Sequence, residues 1–170
     1  MTRSEPLLVV IRGNSASGKS TVATAVQRRF ERGDCAVVAQ DTVRRQMLRE
    51  FDEPGAFNIR LIEQIATAWL QEGMVVIVEG ILDARKYGPM LKRLTDSTPQ
   101  SLFYAFDLTF EETLLRHATR PQAASIPEAL LADWYRGWQP LTFVAETRID
   151  ATWSIDATID RIRRDIARHG

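Results

Sequence analysis

The chain has 170 residues, 45% hydrophobic and 26% charged, and its 22 basic and 22 acidic side chains cancel to a formal net charge of zero. That length suits one domain with a sizeable core rather than two ordinary ones. A neutral balance counts against a polynucleotide-binding face, which leaves a basic footprint. The single cysteine, Cys35, allows no internal disulfide, and no zinc-ligand spacing occurs.

Residues 1–6 are polar, and no apolar run reaches membrane length, so a cytoplasmic protein with no membrane partner is expected. Residues 7–11 are apolar and partly β-branched, which predicts a buried parallel strand. The next stretch, GNSASGKST at residues 13–21, fits the phosphate-binding loop G-x-x-x-x-G-K-[ST]. Val22, Ala23, Val26 and Phe30 then recur at helical spacing, with Gly33 as a stop. A second buried strand is predicted over 35–39, ending at Gln40 and Asp41. A helix over 42–51 would carry Val43, Met47, Leu48 and Phe51 on one face, and residues 51–56 break it. Asn58 is placed to cap a helix over 59–72, with Ile62, Ile65, Ala66 and Trp69 inward and Gly73 as its end.

Residues 74–78 form the strongest predicted strand, running into Glu79 and Gly80. A helix lies within 84–94, with an irregular start at Gly88 and Pro89, and a fourth strand covers 102–106 before Asp107. Thr109 and Glu112 have capping-box spacing for a helix to about Arg120, which Pro121 ends. After an exposed loop over 121–127, Pro127 starts a helix holding Leu130, Leu131, Trp134, Tyr135 and Trp138; the aromatic residues read as core, with a substrate-pocket wall as the other reading. A weaker strand near 146–151 and a helix over 156–167 close the chain. Strands alternating with helices predict a three-layer α/β fold around a five-stranded, doubly wound parallel sheet, as one domain over 1–170.

In the loop, the backbone amides of Gly13, Asn14, Ser15, Ala16, Ser17, Gly18, Lys19, Ser20 and Thr21 are candidates to cradle phosphate oxygens at a helix N-terminus. Lys19 would neutralise the β- and γ-phosphates, and the Ser20 hydroxyl would meet a Mg²⁺ ion; Thr21 also fits a plain helix residue. Asp41, Glu79 and Asp107 all stand at strand ends, which in a parallel sheet open on the same edge as the loop. Asp41, with Arg44 one turn on, can take a hydroxyl proton while the arginine orients an acceptor, and it can also cap the next helix. Glu79 is the candidate metal-side carboxylate, and Asp107 fits the turn before Thr109. Arg116 and Arg120 share one helix face beside a proline-bounded loop, where they could close over a nucleotide. His117 and His169 have no motif around them and read as surface residues.

The strand–GNSASGKST–helix unit, the Asp41/Arg44 pair and the arginines at 116 and 120 resemble the small phosphate-loop (P-loop) kinases. That superfamily includes adenylate, shikimate and gluconate kinases, chloramphenicol phosphotransferase and the kinase domain of polynucleotide kinase. The resemblance implies ATP and Mg²⁺ as cofactors, Asp41 as base, Arg44 on the acceptor, and Arg116 and Arg120 in a lid segment around 116–138. It implies transfer of the γ-phosphoryl group to a hydroxyl of a metabolite, nucleoside or antibiotic held near residues 51–58. Shikimate kinases carry Asp-x-Asp after the second strand, where this chain has Gln40, Asp41 and Thr42, so the acceptor stays open. Two further expectations remain beside it: a polynucleotide 5′-hydroxyl kinase, and a nucleotide-binding regulator without transfer activity.

Overall fold

Alternation along each strand decides the layers. The computed structural model describes residues 5–169, so the polar stretch at residues 1–4 lies outside the described residues. Strands β1 (Leu7–Gly13), β2 (Cys35–Ala39), β3 (Val75–Gly80), β4 (Gln100–Phe106) and β5 (Thr147–Ile149) form one all-parallel sheet in the order β2-β3-β1-β4-β5. β1 lies at its centre, with Val9 opposite Ile77 on one side and Leu102 on the other.

Leu8, Val10, Val76 and Val78 point to one face, against Ile62 and Ala66 of helix α2 (Phe57–Gln71) and Met90 and Leu91 of α3 (Ala84–Ser97). Leu7, Val9, Ile11 and Ile77 point to the other, against Val22 and Val26 of α1 (Lys19–Gln27) and Ile162 and Ile166 of α6 (Ile155–Ala167). A strand buried on both faces must be apolar at every position, which is why β1 and β3 read as unbroken runs. Helices α4 (Phe110–Ala118) and α5 (Glu128–Trp134) cover the carboxyl edge instead, joined by a 3₁₀ turn at Pro121–Ala124. No helix among the described residues is long and apolar enough to cross a membrane.

Several local expectations change. The stretch 42–51 is a π-helical turn, Thr42–Met47, in which only Val43 is buried, and Phe51 is 81% exposed. Asn58 does not cap α2; it sits inside the first turn, fully buried, behind the cap residue Ala56. Gly88 and Pro89 lie within α3, which Asp83 caps by accepting from the Arg85 and Lys86 amides. Pro127 is the cap of α5 rather than its first residue, and α5 stops at Trp134, leaving Trp138 beyond it. The capping box at Thr109 and Glu112 forms as the spacing predicts.

Candidate active site

The loop between β1 and α1 takes its shape from two glycines. A Cβ on Gly13 would come 2.8 Å from both the Cβ and the carbonyl oxygen of Phe106, so β1 lies against β4 only with glycine there. Gly18 has φ +102°, a conformation L side chains rarely adopt, and turns the chain into α1. Behind it the buried Lys19 ammonium donates to the Asn14 carbonyl (2.6 Å) and to Ser17 Oγ (3.2 Å), bridging the two sides of the loop. Burial lowers its pKa to about 8, although the charges of Glu79 and Asp41 pull the other way.

The neighbouring Ser20 hydroxyl donates to Glu79 Oε1 at 2.9 Å. Glu79 is buried at the end of β3, and that burial holds its carboxyl above the usual range against the pull of Lys19 and Ser20. Among the described residues no three His, Cys, Asp or Glu side chains gather as a metal cluster. A hydroxyl and a carboxylate oxygen are the donors Mg²⁺ accepts where phosphates and water complete its shell, so these residues fit that ion. Thr21 is exposed and lines a different surface, beside Arg116 and Trp153.

Asp41 stands at the mouth of the same cavity, of about 260 Å³, which Ser15, Ala16, Ser17, Gly18, Lys19 and Ser20 line from below. It makes no capping hydrogen bond; its carboxylate, 66% exposed, lies 3.5 Å from Arg44 and 3.4 Å from Arg45. Both arginines reach one carboxylate because they lie three and four residues after it, at the start of the π turn. They then diverge. Arg44 turns inward, with Nη1 donating to the Glu50 carbonyl (3.1 Å) and a buried Nε that has no hydrogen-bond partner among the described residues. Arg45 lies over the Trp134 ring, 4.9 Å from its centroid.

A second cavity, of about 320 Å³, adjoins the first. Arg44, Arg45, Lys86 and Arg136 give it four cations, against Asp52 and Asp83. Lys86 is held by the Asp52 carbonyl (2.6 Å) and carboxylate (2.8 Å). Beneath lies a buried polar chain. Gln40 Nε2 donates to the Tyr87 hydroxyl (2.7 Å), which lies 2.8 Å from Asn58 Oδ1 and 3.0 Å from Asp52 Oδ1. The Gln40 side-chain oxygen Oε1 accepts from the Leu82 amide (3.0 Å), in a residue with φ +45°. That uncommon backbone persists because the Leu82 side chain is buried and its amide is fixed.

Arg116 reaches the phosphate loop, donating to the Ser17 carbonyl (2.6 Å) and the Trp153 carbonyl (3.2 Å). Arg120 lines the cavity above Lys19 and, as a like charge, helps lower its pKa. His117, expected at the surface, is only 5% exposed; Nε2 sits 3.0 Å from the Ile126 carbonyl and ties the 121–127 loop to α4. Trp134, expected in the core, lines both cavities, and Trp138 lies under the Arg148 guanidinium at 4.5 Å. Asp107, at the turn before Thr109, pairs with Arg148.

Two contacts attach the segment after α5 to the loop and the sheet. Asn14 Oδ1 accepts from the Arg136 amide (2.7 Å), and Asn14 Nδ2 donates to the Gly137 carbonyl (3.2 Å). Arg12 forms a buried two-pronged pair with Glu146, at 2.6 and 2.9 Å, and also donates to the Gln139 carbonyl. Asn14 occupies a free position of the loop motif, so only the fold reveals this second use.

A five-stranded 2-3-1-4-5 parallel sheet with this loop after its central strand is the architecture of the P-loop small-molecule kinases. The profile of the adenylylsulphate kinase family matches residues 5–116, and the chain belongs to that family. The "Probable adenylyl-sulfate kinase" of Bacillus subtilis (strain 168) is 34% identical over 90 residues, covering 50% of this chain and 46% of the relative. The match thus spans about half the length of that relative.

Similar folds are found in the APS kinase CysC of Mycobacterium tuberculosis in complex with AMPPNP and APS (TM-score 0.72, 20% identity, 97% of this chain and 99% of that one). Another is a gluconokinase of Sinorhizobium meliloti 1021 (TM-score 0.65, 18% identity, 98% of each chain). A chain of the Pnkp1/Rnl/Hen1 RNA repair complex is a third (TM-score 0.59, 20% identity, 97% of this chain and 47% of that one). The family match stops at Arg116, so Arg120, Trp134 and Arg136 lie outside it.

Proposed function

We propose that the chain is an ATP- and magnesium-dependent kinase that moves the γ-phosphoryl group onto a hydroxyl of an anionic small molecule, with adenylyl sulfate as the first acceptor to test. The observation that carries this reading is the junction of a phosphate-loop cavity with a second cavity bearing four cations. Lys19 and the loop amides hold the phosphates; Ser20 and Glu79 would hold Mg²⁺, which when bound neutralises charge on the β- and γ-oxygens. Asp41 takes the hydroxyl proton, Arg44 steadies the acceptor's anion, and Arg116 and Arg120 close a lid over 116–138, part of one domain with the rest of the chain.

The test is ADP release with adenylyl sulfate, gluconate, nucleosides and a short 5′-hydroxyl oligonucleotide offered in turn. A rate stimulated by a small anionic acceptor supports the reading. Tight ATP binding with no stimulation by any of them would point to a nucleotide-binding regulator instead. Asp41→Asn should lower stimulated turnover by roughly 10²–10⁴-fold, the usual range for a general base, and leave ATP affinity within about twofold. Full activity in that variant would remove Asp41 from the proton-transfer role.

A further inference from the structure

The two cavities share three lining residues, Arg45, Ile81 and Trp134. Only one of these carries charge. Arg120 lines the phosphate-loop cavity without reaching the second, whereas Arg44, Lys86 and Arg136 line the second without reaching the first. The Arg44 guanidinium faces only the second cavity, with Nη1 tied to the Glu50 carbonyl and a side chain 12% exposed. Arg45 keeps its guanidinium accessible, at 43% side-chain exposure, and is held at the boundary from two sides. Its Nε lies 3.4 Å from Asp41 Oδ1, and its Cζ lies over the Trp134 ring.

We propose that Arg45 is a further catalytic residue, the cation that contacts the γ-phosphoryl group as it passes from one cavity to the other. The assignment rests on the phosphoryl-transfer reading above and adds a residue to it. In the step, the acceptor oxygen bonds to the γ-phosphorus and the bond from that phosphorus to the β,γ-bridging oxygen breaks. The released electron pair stays on ADP, and the hydroxyl proton goes to Asp41. Charge is spread over the three equatorial oxygens during transfer, and a planar guanidinium at the boundary can bond to two of them. Arg45 is presented there by its spacing: positions 44 and 45, three and four residues after Asp41, reach the same carboxylate and then enter different surroundings. Trp134 serves as a positioning residue, holding the guanidinium at the junction through its ring face.

The experiment compares equilibrium binding of AMPPNP and ADP to wild type, Arg45→Ala, Arg45→Lys and Trp134→Ala, together with acceptor-stimulated turnover. Arg45→Ala should weaken AMPPNP at least tenfold and ADP by less than twofold, because only AMPPNP carries the γ-phosphoryl group. Stimulated kcat should fall about 10³-fold, the lower end of the range for arginines acting on this charge. Arg45→Lys should recover part of the AMPPNP affinity and less of the rate, and Trp134→Ala should move in the same direction with a smaller loss. Equal losses for both nucleotides, or none for either, would overturn the assignment. A wild type that no acceptor stimulates sinks the kinase reading, whereas the AMPPNP-to-ADP comparison decides the Arg45 contact without any acceptor.

Discussion

Lys19 is charged in water and buried in the fold, and its pKa of about 8 is the balance of those facts. A bound triphosphate adds negative charge beside it and raises that value. Well below pH 8 the ammonium is already formed, so binding takes up no proton there. At pH 8.5 the free protein has lost much of that charge, and ATP binding must restore it. Calorimetry in two buffers of different ionisation enthalpy should therefore show proton uptake at pH 8.5 and little at pH 6.5, with affinity falling as pH rises through about 8. Lys19→Arg should abolish the uptake, since arginine stays charged throughout. Glu79 has the opposite sense: its raised pKa means that acid protonates it earlier than an exposed glutamate, so Mg²⁺-dependent binding should weaken on that side first.

At the level of the elements, α4 carries both Arg116 and His117, and its start depends on a reciprocal cap between Thr109 and Glu112. Thr109→Ala should cost about 1 kcal/mol, the usual loss for such a cap. Hydrogen exchange should quicken over residues 110–118, and the ATP KM should rise more than kcat falls. That cap was legible because its spacing is local, as were the strand ends that bring Asp41 and Glu79 to one edge. The π turn was not: Val43, Met47, Leu48 and Phe51 keep α-helical spacing on paper, and nothing in their order says the turn will widen and release Phe51 to solvent. Sequence pointed to Arg44 and passed over Arg45, whose contact with Trp134 comes from a distant helix. Gln40, Tyr87, Asn58 and Asp52 come from four separate segments, and their hydrogen bonds exist only once α2 and α3 pack beside β2. His117 was read as a surface residue because its partner is a main-chain carbonyl, which the sequence does not show.

Across the whole molecule, the Arg12–Glu146 pair joins the central strand to the last stretch of chain before β5, over 134 positions. Both side chains are almost fully buried, so removing one strands the other without water. Arg12→Met should destabilise the fold by roughly 3–5 kcal/mol, the usual result of breaking a buried pair. Urea unfolding would measure it, and Arg12→Met combined with Glu146→Leu should regain most of the loss. Equal stability in the single variant would mean that the pair is solvated. No periodicity could announce this contact, since its two ends are isolated charges in unremarkable surroundings.

Asn14 grips the segment beyond α5 only by main-chain atoms, the Arg136 amide and the Gly137 carbonyl. The path of that segment is thus independent of the side chains it displays. Position 136 can be exchanged while the trace stays in place, so this part of the second cavity's wall is open to substitution in a way the phosphate loop is not. A library restricted to position 136 should change which acceptors are used while ATP binding persists. Relatives sharing the asparagine could then diverge in substrate without remodelling their backbone.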